Sequence, residues 1–197
     1  MITRARAIAV LVLLALATLG FGAVAQADSP LDVSGEITDN AGVLSSSDRA
    51  KVQKALDDYH DQTGFQLFVV YVKSFDGLSG PDWSDQTATK SGLGTTETLL
   101  AVAIDDRKYG TSVPNEHPIS DQDFARIDTE KIEPALRKED WAGAAIAAAQ
   151  GYTVAAEGSG LPWGAIVIGG AVVAGGGALV VRRMRRRYDD THVVLDE

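Results

Sequence analysis

The fold is decided by the segment Phe65-Gln66-Leu67-Phe68-Val69-Val70-Tyr71-Val72, which is almost continuously apolar and rich in β-branched and aromatic residues. This pattern is typical of a strand covered by other elements on both faces. A second run, Thr98–Ile104, has the same character. Two doubly covered strands need helices on both sides of their sheet. The sequence therefore predicts an α/β fold, a three-layer α/β/α sandwich around a small, mostly parallel sheet.

One helix is predicted before the first strand and another after it. Ser45 is a favourable N-cap with Asp48 three positions later, and Gly64 supplies a C-terminal stop. Gly80-Pro81 is expected to open a second helix, because proline is tolerated in a first turn, and this helix should end near Ser91. The alternation of strands and helices supports the sandwich.

The second strand is followed by a hairpin and by further helical pattern. Asp105-Asp106-Arg107 ends the strand, and Lys108–Val113 is expected to return beside it. Helical pattern begins again at Ser120, and we expect Pro134 to interrupt it before it resumes in Trp141–Val154.

An uncharged stretch, residues 163–181, lies near the C-terminus and precedes Arg182-Arg183-Met184-Arg185-Arg186-Arg187. As a helix it is roughly 28 Å long, enough to cross a hydrocarbon core. Because positive charge marks the cytoplasmic side, residues 182–197 are predicted to be a cytoplasmic basic tail, with everything before Trp163 outside. The alternative is a buried Gly/Ala-rich core helix, but the five arginines that follow the stretch favour the membrane span.

The N-terminus agrees with this topology. Arg4 and Arg6 precede the apolar run Ile8–Ala17, and Ala25-Gln26-Ala27 fits the pattern cleaved by signal peptidase. Residues 1–27 are therefore a predicted signal peptide, with an uncleaved N-terminal anchor as the alternative. The chain is predicted to be a single-pass cell-membrane protein, and its lack of cysteine removes disulfides and thiol catalysis.

The region between these segments is strongly acidic. Residues 28–162 carry 23 acidic and 11 basic side chains, a net charge of −12. Residues 28–35 are predicted to be a polar linker and residues 36–157 the exposed domain. The charge argues against nucleic acid and favours cations or basic partner surfaces, although a merely solubilising surface has the same composition.

Several motifs follow one another in a fixed order along the exposed domain. They are Ile37-Thr38-Asp39-Asn40-Ala41-Gly42-Val43-Leu44-Ser45, the Phe65–Val72 strand, the Trp83 helix, the Leu99–Ile104 strand with Asp105-Asp106-Arg107, and a closing helix with Ile132-Glu133-Pro134 and Asp140-Trp141. In this order they resemble the TPM domain family. The resemblance implies an α/β/α sandwich outside a membrane, often followed by an anchoring span. It also implies an acidic cleft that binds divalent cation in some members. Acid phosphatase activity has been attributed to a plant member, whereas other members look like modulators.

One turn departs from the family pattern. Members commonly follow the Asp-Asp-Arg strand end with a return strand and a glycine-rich turn, but here the corresponding stretch is Thr111–Pro118, which contains two prolines and no glycine. A turn stiffened in this way does not let backbone approach a ligand closely. Any activity carried by that turn is therefore in doubt.

Three carboxylates are the candidate metal ligands. Asp105 and Asp106 follow a buried strand, where ligands bind in open α/β sheets, and Asp39 comes from the first motif of the resemblance. Their oxygens suit Ca²⁺ or Mg²⁺. The alternative is ordinary solvation of a strand end, with Arg107 paired to one aspartate.

No catalytic residue is assigned from the sequence. His60 lies late in the first helix, where a structural role is favoured, and His117 has no nucleophile motif, phosphate cradle or zinc spacing beside it. Trp83 and Trp141 have apolar neighbours and are expected to be core residues.

Two classes of function follow. The first is a membrane-anchored extracytoplasmic interaction or modulator domain, whose acidic cleft docks an envelope or membrane-protein partner with or without a cation. The second is a metal-dependent acid phosphatase acting outside the membrane. We favour the first, because phosphoryl transfer needs positive charge around the reacting group and residues 28–162 are acidic.

Overall fold

The computed structural model describes residues 28–159. The predicted signal peptide (1–27), transmembrane helix (163–181) and basic tail (182–197) lie outside the described residues. Within residues 28–159, no helix has both the length and the apolar character that a membrane crossing requires.

The core of the fold is a sheet of four strands in the order β1-β2-β3-β4. They are β1 (Ile37–Asp39), β2 (Gln66–Val72), β3 (Glu97–Ala103) and β4 (Lys108–Ser112). The first three strands are parallel, and β4 returns antiparallel to β3 as a hairpin. The register places Asp39 beside Tyr71, and Tyr71 beside Val102. The predictions of a small, mostly parallel sheet and of the return strand are confirmed.

Within residues 28–159, five α-helices and one π-helical turn accompany the sheet. They are α1 (Ser46–Thr63), α2 (Gly80–Lys90), α3 (Asp121–Ile127), the π turn (Asp128–Ile132), α4 (Glu133–Leu136) and α5 (Trp141–Gly158). The predicted caps of α1 are present, since Ser45 Oγ accepts from Asp48 N at 3.1 Å and Gly64 has φ +73°. Glycine takes that left-handed conformation without steric cost.

The expected interruption at Pro134 is different in the structure. Helical backbone continues from Asp121 to Leu136, and the π turn lies between α3 and α4. Pro134 falls in the first turn of α4, where its missing N–H is not needed. The irregularity therefore precedes the proline and widens the helix instead of ending it.

The two faces of the sheet carry separate apolar cores. Leu67, Val69 and Tyr71 of β2 pack beneath α1, α5 and the π turn, in a core that includes Phe124. Val70 and Val72 of the same strand point to the other face, whose core contains Trp83 of α2 together with Phe75 and Leu99. Helices on both faces give three layers, and Trp83 is a core residue as predicted.

Residues 28–35 contain no helix or strand, but they are packed along α2. Trp83 Nε1 donates to Asp28 O at 2.7 Å, while Leu31 N donates to Thr87 Oγ1 at 3.2 Å. Val33 N donates to Ser91 Oγ at 2.9 Å, and only 8% of the Val33 surface is exposed. This segment is therefore part of the packed domain and not a free linker.

A charge placed at Val33 tests this packing. We expect Val33→Asp in the full-length chain to lower the free energy of unfolding by about 2–3 kcal/mol, because the carboxylate would lie without a partner against the α2 core. Ser34→Asp adds the same charge at the exposed neighbouring position and should change it by less than about 0.5 kcal/mol. Urea unfolding measures both values. Equal effects of the two substitutions would show that the segment does not contribute to the fold.

Candidate functional site

The parallel strands β1, β2 and β3 all end at one edge of the sheet, at Asp39, Val72 and Ala103. We call this the carboxyl edge and define it by the loops 39–44, 73–79 and 104–107 together with the turn 137–140. The turn belongs to this edge because Tyr71 OH donates to Trp141 O at 2.7 Å. Ligands of open α/β sheets bind at such an edge.

Asp39 uses both carboxylate oxygens to hold the loop that leads into α1. Oδ1 accepts from Gly42 N at 2.8 Å and from Val43 N at 3.1 Å, and Oδ2 accepts from Leu44 N at 2.9 Å. Such bonds satisfy backbone amides that have left the sheet and have not yet entered a helix. The position therefore has a local structural role that accounts for an aspartate.

Asp106 ties the end of β3 to the loop that follows β2. Its Oδ2 accepts from Ser74 Oγ at 3.0 Å and from Phe75 N at 2.7 Å. Phe75 is buried and stacks on Trp83, with ring centroids 4.9 Å apart. Asp106 thus fixes the loop against the α2 core.

Asp105 is the most exposed of the three predicted ligands. Its backbone N donates to Lys73 O at 2.9 Å, which continues the pairing of β2 and β3 beyond the strands. The carboxylate itself lies at the surface of the carboxyl edge, where it faces solvent.

The structure does not bring Asp39, Asp105 and Asp106 together as one cation site. β2 lies between β1 and β3, which separates the ends of the outer two strands by roughly 9–10 Å at ordinary strand spacing. Across residues 28–159, no three His, Asp or Glu side chains are grouped closely enough to hold a metal ion. The three residues share an edge, but two of their carboxylates are directed to different loops.

Backbone strain is concentrated at the carboxyl edge. Asp76, Arg107 and Glu139 have φ values of 54°, 52° and 57°, and they are the non-glycine residues with positive φ within residues 28–159. Each lies in a loop or turn of this edge, and Arg107 Nη1 is 3.6 Å from Glu139 Oε1. The left-handed conformation costs about 1 kcal/mol or more for a residue with a side chain. Strained residues of this kind are common at functional sites.

Charge at the edge also acts on Tyr71, whose side chain is buried beneath it. Burial raises the pKa of the Tyr71 hydroxyl, and the negative charges of Asp39 and Asp140 raise it further. Asp140 is exposed and caps α5, since Oδ1 accepts from Gly143 N at 2.8 Å. Tyr71 therefore stays neutral and acts as a hydrogen-bond donor that fixes the start of α5.

His60 and His117 have structural surroundings. His117 Nδ1 accepts from Ile119 N at 3.2 Å, and its ring centroid lies 4.5 Å from that of Phe65. Burial lowers the pKa of His117 to about 4, so the ring is neutral at pH 7. His60 Nδ1 is 3.2 Å from Phe65 O, where it closes the end of α1.

Sequence reasoning missed the part of the edge that comes from the turn 137–140. Asp140 carries a recognisable signal, because aspartate is a favourable N-cap before the Trp141 helix. Glu139 carries none, because glutamate is not a residue that favours positive φ. Its contribution to the edge is visible only in the fold.

Known proteins resemble this chain in sequence and in fold. A family model described as the TPM domain matches residues 37–155. Two UPF0603 proteins of Mycobacterium tuberculosis, from strains CDC 1551 and H37Rv, are each 42% identical to it over 136 residues, 68% of this chain. The match covers 21% of each relative, so the chain spans about a fifth of the length of these proteins.

Two solution NMR structures have the same fold. The N-terminal domain of the cg2496 protein from Corynebacterium glutamicum is 32% identical to this chain and has a TM-score of 0.55. The match covers 66% of this chain and 85% of the cg2496 domain. The N-terminal domain of a P. gingivalis protein is 21% identical, covers 68% and 94% of the two chains, and has a TM-score of 0.58, which supports the fold alone. Because the family model spans most of the domain and the ordered motifs agree with it, the chain belongs to the TPM domain family.

Proposed function

We propose that the chain is a membrane-anchored module whose domain lies outside the membrane and docks a membrane or envelope protein through its carboxyl edge. The observation that carries the proposal is the gathering of Asp76, Arg107 and Glu139, all with positive φ, at this one edge. Strain is retained where the surrounding structure fixes a particular surface. Here Asp39 and Asp106 fix the loops by hydrogen bonds to backbone amides.

The charge of the edge indicates the chemistry of the partner. Its loops and turn contain six acidic and four basic side chains, and Asp105, Glu139 and Asp140 are among the exposed acidic ones. Residues 28–162 as a whole carry a net charge of −12. A domain with this excess of negative charge attracts a basic patch on a protein and repels nucleic acid and anionic lipid headgroups. The partner we propose is therefore a protein with a cluster of lysine or arginine residues near the outer membrane surface.

The alternative is a metal-dependent acid phosphatase outside the membrane. A phosphatase must surround the transferred group with positive charge. Four basic side chains belong to the edge, and two of them are beside carboxylates: Arg107 lies next to Glu139, and Arg137 pairs with Glu133. The geometry of the edge therefore favours docking over phosphoryl transfer.

Site-specific photo-crosslinking tests the docking surface. Asn40 is exposed, uncharged and part of the carboxyl edge, whereas Gln86 is exposed and uncharged on α2. We expect a photo-reactive side chain at Asn40, in native membranes, to give a discrete protein adduct, and the same side chain at Gln86 to give none. Adding Asp105→Asn should reduce the Asn40 adduct several-fold, because it removes an exposed charge from the edge.

Asp57→Asn removes a comparable exposed charge from α1 and serves as the control. It should leave the Asn40 adduct unchanged. Equal adducts at Asn40 and Gln86, or equal losses with the two charge variants, would contradict docking through the carboxyl edge.

Reporter fusions test the anchor and its orientation. A reporter that works only in the cytoplasm should be active after Glu197 and silent after Gly158, because the arginines at 182–187 belong on the cytoplasmic side. Cell fluorescence or enzyme activity measures the outcome. The reverse pattern, or activity at both positions, would contradict the proposed topology.

Binding of Ca²⁺ or Mg²⁺ at Asp39, Asp105 and Asp106 stays a prediction, and a titration decides it. A site with a Kd of about 10 μM would stabilise the fold by about 2.7 kcal/mol at 1 mM cation. Because Asp39 and Asp106 already accept backbone N–H groups, we expect the cation to stabilise the full-length protein by much less than this. The Tm should therefore rise only slightly. A large rise that disappears in Asp105→Ala/Asp106→Ala would instead establish the site.

The full-length protein and its Asp105→Ala/Asp106→Ala variant also distinguish a docking module from a phosphatase. We expect hydrolysis of an aryl phosphate at the uncatalysed rate, with or without either cation. Metal-dependent turnover that is lost in the double variant would favour the phosphatase.

A further inference from the structure

Three buried side-chain oxygens lie away from the carboxyl-edge loops. They are Thr111 Oγ1 on β4, Asp128 Oδ1 on the π turn and Tyr152 OH on α5. Burial raises the pKa of the Tyr152 hydroxyl well above its ordinary value, the charge of Asp128 raises it further, and the nearby Thr111 hydroxyl lowers it. Tyr152 therefore interacts with both of the other two groups.

None of these three oxygens meets a hydrogen-bond partner within residues 28–159. Asp128 as a residue is only half-buried, but its Oδ1 atom is enclosed. Buried polar atoms in native proteins nearly always have a partner, and one isolated exception is ordinary. Three exceptions, of which Tyr152 interacts with both of the others, indicate a shared ligand that supplies the missing hydrogen bonds.

Two features of the backbone build this place. The π turn carries Glu133 N back to Asp128 O, one residue further than in an α-helix. Gly151 allows α5 to approach closely, because a Cβ there would lie 2.6 Å from Ile127 Cγ2. The glycine is adjacent to Tyr152 in sequence and Ile127 is adjacent to Asp128, so the close contact brings the two polar residues toward each other.

We propose that Thr111, Asp128 and Tyr152 enclose an internal site that binds one water molecule together with one proton, the proton being held on the Asp128 carboxyl. A water molecule both donates and accepts, and it needs two to four polar partners, which this trio provides. The proton comes from solvent, and the carboxylate takes it up without any other chemical change. The site is independent of the docking function proposed above.

The charges around Asp128 favour the protonated form. Glu133 on α4 faces it, although Glu133 also bonds Arg137 Nη2 at 2.8 Å and Tyr109 OH of β4 at 3.0 Å. Tyr152 is neutral, and Tyr59 of α1, which faces Tyr152, is also kept neutral because burial raises its pKa.

On α3, Arg126 is directed to Asp123 at 2.8 Å and to Glu130 of the π turn at 4.0 Å. Burial, followed by the charge of Glu133, raises the pKa of Asp128 from its ordinary value of 3.8 to about 7. Burial and the charge of Glu133 therefore both favour the neutral carboxyl.

The proton links folding to pH with a definite sign. Between about pH 4 and pH 7 the folded chain holds a proton that the unfolded chain releases, so stability is fully present at low pH and is lost as pH rises toward 7. One proton corresponds to a roughly tenfold fall in the folding equilibrium constant per pH unit in the middle of this range.

Asp128→Asn is the decisive variant, because asparagine keeps the shape but cannot titrate. We expect the free energy of unfolding of the full-length protein, measured with urea, to fall as the pH rises from 5 to 8. Asp128→Asn should remove this part of the pH dependence. Glu130→Gln makes the same chemical change at an exposed position of the π turn and should keep the pH dependence of the unmodified chain. A slope shared by all three proteins, or no slope in the unmodified chain, would overturn the proton site.

NMR of the unmodified chain tests the same site without relying on a variant. The Asp128 carboxyl carbon should titrate near pH 7, and the Tyr152 hydroxyl proton should show an NOE to a long-lived water. Thr111→Val removes one hydroxyl at nearly constant volume and should abolish the water NOE. A carboxyl midpoint below pH 5 would overturn the proton, and absence of the NOE in the unmodified chain would overturn the water.

Discussion

The rest of the structure depends on the burial of β2 on both faces. Leu67, Val69 and Tyr71 pack on one side, and Val70 and Val72 pack on the other. Neither face tolerates water, so helices must cover both, and the connections between neighbouring parallel strands must cross over through those helices. The ends of the parallel strands are thereby brought to one edge. The candidate site is a consequence of that burial.

At the carboxyl edge, the same residue type satisfies two physical demands. Backbone amides that leave the sheet need acceptors, and Asp39 and Asp106 supply them. Aspartates at strand ends are equally typical of cation sites, so composition alone does not separate the two roles. The hydrogen bonds of Asp39 and Asp106 show the first role, and the second stays a prediction. The edge therefore has fixed loops and carries both acidic and basic side chains at its surface.

The sequence predicted the local features of this fold and missed the distant ones. The cap at Ser45, the stop at Gly64 and the period of β2 depend on neighbours within a few residues, so their signals are readable. The packing of residues 28–35 depends on side chains of α2 more than 50 positions away, and polar composition conceals it. At the carboxyl edge, the partners of Asp106 and the strain at Glu139 were not predicted, because both depend on tertiary contacts. The partners of Asp39 are amides three to five residues away, so they were within reach of local sequence reasoning.

The segment 128–140 joins the two places that depart from ordinary packing. It begins with Asp128, whose Oδ1 lies in the enclosed site, and it reaches the carboxyl edge at Glu139, which is strained and lies beside Arg107. Between them, Glu133 bonds both Arg137 of the same segment and Tyr109 of β4. Asp128 therefore begins a segment that is fixed to the sheet at its middle and forms part of the carboxyl edge at its end. One continuous piece of chain thus carries a buried carboxylate oxygen without a partner and one of the three non-glycine residues with positive φ at that edge.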